Sequence, residues 1–162
     1  MTVRLASAAP TAAPTLDDTT ACYVAATQPG FTLLRAAAVR LSGCLLLVAT
    51  DTGSGDQRQV LLGSVRENFA EADDLLGPVS APDRALHHHH HIKTALALFK
   101  RAEACARRLD GLHQDNEVKL GLDLLSAAWR QLQFAADTLP GFEIINLGES
   151  CCAFCQPRPA VP

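Results

Sequence analysis

Between residues 31 and 139 the apolar side chains return every three or four positions, in four separate runs divided by glycine, proline and aspartate. That rhythm admits few folds. At 3.6 residues per turn it gathers the apolar residues onto one side of a helix, whereas on a strand the same positions would scatter over both faces. The clearest run is Val118, Leu122, Leu125, Trp129, Leu132, Ala136 and Leu139, with Lys119, Asp123, Ser126, Arg130, Gln133 and Asp137 gathered on another face. It predicts a helix over 117–139, started by Asp115 or Asn116 and broken by Pro140-Gly141.

The other three runs follow the same logic. Leu34, Ala38, Leu41, Leu45 and Val48 predict a helix over 31–50, ended by the turn-forming Asp51-Thr-Gly-Ser-Gly-Asp56. This run is apolar enough to suggest a membrane span, but Arg35 and Arg40 lie about 140° apart on a helical wheel and cannot share one sheltered face. A core helix is expected instead. Leu62, Val65, Phe69, Ala72 and Leu76 predict a second helix over 57–76, stopped by Gly77-Pro78. A third is expected over 82–109, with Ile92, Ala95, Phe99, Ala102 and Ala106 inside and Ser80, Pro82 and Asp83 suited to its start. Short connections oblige each helix to return beside its predecessor, so the predicted fold is all-α: an up-down-up-down antiparallel four-helix bundle.

Two segments stand outside it. Residues 1–30 are rich in alanine, threonine and proline without a usable period, and predict a disordered arm ending at Pro29-Gly30. Within it, Cys22 and Tyr23 are the residues expected to make contacts. Residues 140–162 predict an extended tail, with Phe142-Glu-Ile-Ile-Asn-Leu147 packed on the bundle and Cys151-Cys-Ala-Phe-Cys155 beyond. The bundle itself is assigned to 31–139.

A net charge of -3 excludes the globally basic character of most nucleic-acid-binding domains. Lys93, Lys100, Arg101, Arg107 and Arg108 do form a local basic strip, without the interleaved aromatics of a single-strand binder. Residues 1–13 lack the apolar core of a secretory signal, so the six cysteines are expected in a reduced, cytoplasmic setting, where a cluster signals metal or redox chemistry. No phosphate-binding loop, dinucleotide-binding glycine pattern or nucleophile elbow occurs. A non-catalytic protein is expected, partnered by another protein or a second copy, with no nucleic acid and no membrane.

The unusual chemistry lies in five consecutive histidines, 87–91, embedded in the third helical pattern. With His87 at the origin of the wheel, His88 points inward, His87 and His91 lie on the flank, and His89 and His90 face outward. Imidazoles three or four residues apart can meet one metal ion from neighbouring turns. In the predicted topology, the end of the bundle holding them also holds Asp73 and the root of the tail with Cys151, Cys152 and Cys155. The predicted ligand set for zinc or copper is therefore drawn from His87, His88, His91, Cys151, Cys152, Cys155 and Asp73. Cys44 and Cys105 fall within helical patterns and are expected as small core residues.

The segment His90-His91-Ile92-Lys93-Thr94-Ala95-Leu96 also resembles the H-box of sensor histidine kinases, which runs His, acidic, apolar, basic, Thr, Pro, Leu. Lys93 and Thr94 match, His91 replaces the acidic residue and Ala95 the proline. The resemblance implies a phosphotransfer protein with His90 as phosphoacceptor, without autophosphorylation because no nucleotide-binding domain follows the helical hairpin.

Overall fold

The computed structural model describes residues 16–50, 52, 54–109 and 114–144. Four helices account for most of them: α1 (Asp18–Ala49), α2 (Gly55–Leu76), α3 (Leu86–Arg107) and α4 (Gln114–Thr138), with a 3-10 turn, Asp83–Ala85, leading into α3. No strand occurs among the described residues.

The largest departure from expectation is the length of α1, which begins at Asp18 rather than after Pro29-Gly30. Asp17 starts it: its carboxylate accepts from the Thr20 backbone amide at 2.8 Å and the Thr20 hydroxyl at 3.0 Å, satisfying donors that a helix end leaves unpaired. Pro29 sits inside the helix, where it withholds one backbone amide from the Ala25 carbonyl. Gly30 is needed for a different reason. A Cβ there would lie 2.7 Å from Cγ of Leu76, so the missing side chain lets α1 and the end of α2 approach closely. A Pro-Gly pair that reads locally as a boundary is here a feature of helix contact.

That contact yields a prediction. Gly30→Ala improves helix propensity yet should destabilise the protein by about 1–3 kcal/mol, because fully buried Leu76 must move. Gly43→Ala, which meets nothing within 4 Å, should stabilise it by about 0.5–1 kcal/mol. Urea denaturation of both variants gives the comparison, and shifts of equal sign would refute the close-approach account.

At the start of α2, Ser54 and Gln57 form a reciprocal capping box. The apolar stripes predicted for α1, α2 and α3 are all buried. α1 is the one described helix long and apolar enough to cross a membrane, but its Leu34, Leu41 and Leu45 are fully enclosed by the other helices.

In α4 the inner face is turned from the predicted seam. Leu124, Leu125, Ala128, Leu132, Ala135 and Leu139 are buried, whereas Leu122 is 39% exposed and Trp129 half-buried. Gly121 explains the rotation: a Cβ there would stand 3.1 Å from a Leu45 methyl and 3.5 Å from Cβ of Cys105. The helix turns Gly121 toward Leu45 and Cys105, with Ala128 fully buried on the same face, and this carries Leu122 and Trp129 to the flank.

α1 packs most extensively on α2, and α3 on α4; narrower contacts join α1 to α4 and α2 to α3. Charged pairs mark the α2 and α3 seam. Lys100 binds Asp73 at 2.6 Å, and buried Glu103 lies 3.0 Å from Nε of Arg107 and 3.9 Å from Nε of Arg66. The short Glu103 contact is an ion pair without hydrogen-bond alignment, since Oε1 has no aligned donor. With Arg108 bound to Glu117 at 3.0 Å, three of the five cations in the predicted basic strip have carboxylate partners.

Candidate functional site at the histidine run

The start of α3 is fixed beside the start of α1 before any histidine is reached. Arg84 binds the Asp17 carboxylate at 3.2 Å. The Asp17 carboxyl is held below its ordinary value of 3.8, chiefly by the Thr20 backbone bond. Asp17 thus both starts α1 and anchors the turn that leads into α3.

From that anchor the helical rotation gives five adjacent imidazoles different surroundings. His87 and His90 are exposed, His89 and His91 half-buried, and His88 entirely buried. His88 Nδ1 lies 2.9 Å from the Tyr23 hydroxyl, which is also 3.4 Å from His89 Nδ1. Phe142, in the segment after α4, covers the His88 ring at a centroid distance of 4.1 Å. Phe142 in turn packs edge-on against Phe31 at 5.1 Å. One imidazole therefore joins α1, α3 and the chain beyond α4.

Burial depresses the His88 pKa from 6.5 to about 4, with the neighbouring charges of His89 and His91 contributing less, so the ring is neutral near pH 7. The same burial pushes the Tyr23 phenol up to about 12. His88 Nε2 is buried without a hydrogen-bond partner. We assign the proton to Nδ1, which then donates to the Tyr23 oxygen while the Tyr23 hydroxyl donates toward His89. This arrangement gives both Nδ1 contacts a donor, and leaves a bare lone pair rather than an N–H stranded at Nε2.

The remaining predicted ligands are divided among separate contacts. His91 Nδ1 lies 2.7 Å from Gln131 Oε1, and its ring meets Phe134 at 5.5 Å. Since an amide oxygen only accepts, His91 Nδ1 is the donor in this contact. Asp73 is bound to Lys100, which lowers its pKa from the ordinary 3.8. Lys100 is twelve residues, about 18 Å of helix, beyond His88. Among the described residues, no group of three or more His, Cys, Asp or Glu side chains converges on a metal position.

Cys151, Cys152 and Cys155 lie outside the described residues. Cys44 and Cys105 are buried, as their helical positions predict, and burial raises both thiols above their ordinary pKa. Cys22 is exposed. His90, the residue of the H-box resemblance, is exposed beside His91, with ring centroids 5.6 Å apart.

The inward direction of His88 was readable from the wheel, and the involvement of Tyr23 and Phe142 was partly so. Gln131 was not anticipated. On the predicted α4 wheel it lay outside both the apolar seam and the polar face, and only the rotated packing of α4 brings it to His91. No protein-family model, curated protein or solved structure matches the chain.

Proposed function

We propose that the protein is a non-catalytic up-down-up-down antiparallel bundle acting as a protein-interaction scaffold, with the histidine run fastening one end of it. Contacts at both ends support the topology. The start of α1 meets the end of α2 at Gly30 and Leu76 and the start of α3 at Tyr23 and His88, while Gly121, early in α4, meets the late residues Leu45 of α1 and Cys105 of α3. The observation that carries the scaffold reading is the inward use of His88: the most sheltered imidazole is engaged by Tyr23 and covered by Phe142. A metal ligand needs an accessible lone pair. A reducing cytoplasmic setting belongs to the same proposal, with Cys44 and Cys105 packed as thiols.

A second reading, zinc or copper binding, is favoured by the His91 contact to Gln131. A ligating histidine commonly donates its other ring nitrogen to an acceptor that fixes tautomer and orientation, and His87 stands one turn before His91. In this version His88 and Asp73 leave the ligand set, and the tail thiols complete it.

Elemental analysis of untagged protein purified without added metal separates the two readings. The scaffold reading expects no equivalent of bound metal and unchanged melting on addition of zinc or copper. One equivalent, lost in His91→Ala or in the double variant Cys152→Ser, Cys155→Ser, would replace it with the metal reading. For the scaffold itself, sedimentation over a range of concentrations tests whether the partner is a second copy; a monomer throughout assigns the role to a different protein.

A further inference from the structure

α1 carries more apolar surface than its own bundle covers. Leu34, Leu41, Leu45 and Val48 form the buried side. A second stripe, Ala36, Val39, Ser42, Gly43, Leu46 and Ala49, runs along another side of the helix within an arc of about 140°. Val39 is 65% exposed and Leu46 61%; Ala49 is exposed, and Ala36, Ser42 and Gly43 are half-buried. The Ser42 hydroxyl donates back to the Val39 carbonyl at 2.8 Å, so the one polar side chain of the stripe is already satisfied within the helix. A Cβ at Gly43 would meet nothing within 4 Å, which leaves a notch between Val39 and Leu46. Apolar residues aligned in this way mark an interaction surface, unlike single exposed leucines scattered over a monomer.

The order of sizes along the stripe reads the same in both directions. Outward from the point between Ser42 and Gly43, each half runs small, large, small: Ser42, Val39, Ala36 one way and Gly43, Leu46, Ala49 the other. That symmetry is what an isologous contact requires, because about a two-fold axis residue i meets residue j while j meets i. In an antiparallel pair of α1 helices Val39 falls on Leu46, Ser42 on Gly43 and Ala36 on Ala49. Both large residues point within about 10° of the axis direction, and the small ones beside them let the two backbones approach. Arg35 falls opposite Thr50 at the rim, where interfaces are polar, and its guanidinium already donates to the Glu143 carbonyl at 3.0 Å. Arg40 lies about 110° from the axis direction, so neither arginine opposes its own counterpart.

We propose that this face of α1 docks a second copy of the chain, antiparallel, about a two-fold axis between Ser42 and Gly43. The inference rests on the scaffold reading, for which it names the partner and the surface. The strip is about 20 Å long and covers 140° of a helix some 10–12 Å across, on the order of 350 Å² in each copy. Trp129 and Arg130 of α4, which border the same groove as Val39 and Ser42, widen it. A total of roughly 1,000 Å² over both copies is at the low end for a specific interface. The dimer is therefore weak and concentration-dependent, not obligate.

Sedimentation of the full-length protein between about 1 µM and 1 mM should show a monomer passing to a dimer. Val39→Lys and Leu46→Glu, each at an exposed position, should each weaken dimerisation about tenfold or more with an unchanged far-ultraviolet helix signal. Because position 39 of one copy meets position 46 of the other, an equimolar mixture of these two variants should associate more tightly than either alone. Gly43→Leu separates fit from adhesion. Alanine at 43 keeps the position small, but leucine fills the notch and should weaken the dimer about tenfold; stronger association of Gly43→Leu would mean a generally adhesive face and overturn the proposal. A wild type that stays monomeric also overturns it, while the scaffold reading stands with a different protein as partner; only bound metal removes that reading. A dimer indifferent to Val39→Lys and Leu46→Glu, or a mixture no tighter than its components, overturns the proposal by placing the contact elsewhere or in another register.

Discussion

Replacing His88 with alanine is expected to destabilise the protein by about 3 kcal/mol, through loss of a buried ring and of a hydrogen-bond partner together. The ring fills the space between Tyr23 and Phe142, and its removal leaves a cavity that Phe142, already packed on Phe31, cannot fill without losing that contact. It also takes the shorter of its two contacts from the Tyr23 hydroxyl, leaving only the 3.4 Å contact to His89 in a residue 3% exposed. The melting temperature should fall by roughly 10 °C. His87→Ala, one residue away on the exposed side, should change stability by less than about 0.5 kcal/mol. Denaturant titration of the two variants is the measurement. Similar losses from both would mean that the run acts as a surface cluster rather than through one buried member.

The second large effect concerns pH. In the unfolded chain His88 takes up a proton near 6.5, whereas in the folded protein it does so only near 4. Between those values the unfolded state binds more protons, so stability falls as pH falls. The full difference across the window is on the order of 3 kcal/mol, and most of it should be gone by pH 4.5. His89, whose pKa is lowered mainly by burial, acts in the same direction. Asp17 and Asp73 act elsewhere: their lowered carboxyl pKa values confine their loss of stabilisation to pH below the ordinary 3.8. Unfolding free energies measured at intervals from pH 7 to 4.5 should therefore show a slope that flattens in His88→Gln, which cannot titrate. A wild-type profile that is flat over this window would show that His88 protonates without resistance and is not enclosed. Tyr23 produces the opposite limb, because its raised pKa leaves stability intact below pH 10 and erodes it toward about 12.

Both predictions rest on relations that were unevenly visible in the chain. The stripes Leu62, Val65, Phe69, Ala72, Leu76 and Ile92, Ala95, Phe99, Ala102, Ala106 are buried as their spacing requires, because helical periodicity is a property of neighbouring residues. The same periodicity separated His88 from His87 and His90. It failed at Pro29-Gly30, where a local breaker signal was outweighed by burial of Tyr23, Thr27 and Phe31 along a continued helix. The α4 seam also misled, by roughly a sixth of a turn. Counting large apolar residues ignores Gly121, and close approach of helices depends on where side chains are smallest.

Asp73 was a predicted ligand because the predicted topology puts it at the histidine end of the bundle; its carboxylate is bound by Lys100. The choice between an ion pair and a metal site depends on which cation stands opposite, and a wheel for one helix contains no information about the facing helix. Gln131 entered the histidine environment for the same reason.

The amino-acid order alone determined that this chain is helical, where most helices end, and which imidazole of five turns inward, since each follows from the geometry of residues a few positions apart. Which groups that imidazole meets was settled only by folding: Tyr23 and Phe142 are separated from it by dozens of residues, and their adjacency arises from helix packing. Burial, the depressed His88 pKa and the direction of the chain after α4 all originate in those distant contacts, and local sequence carries no term for them.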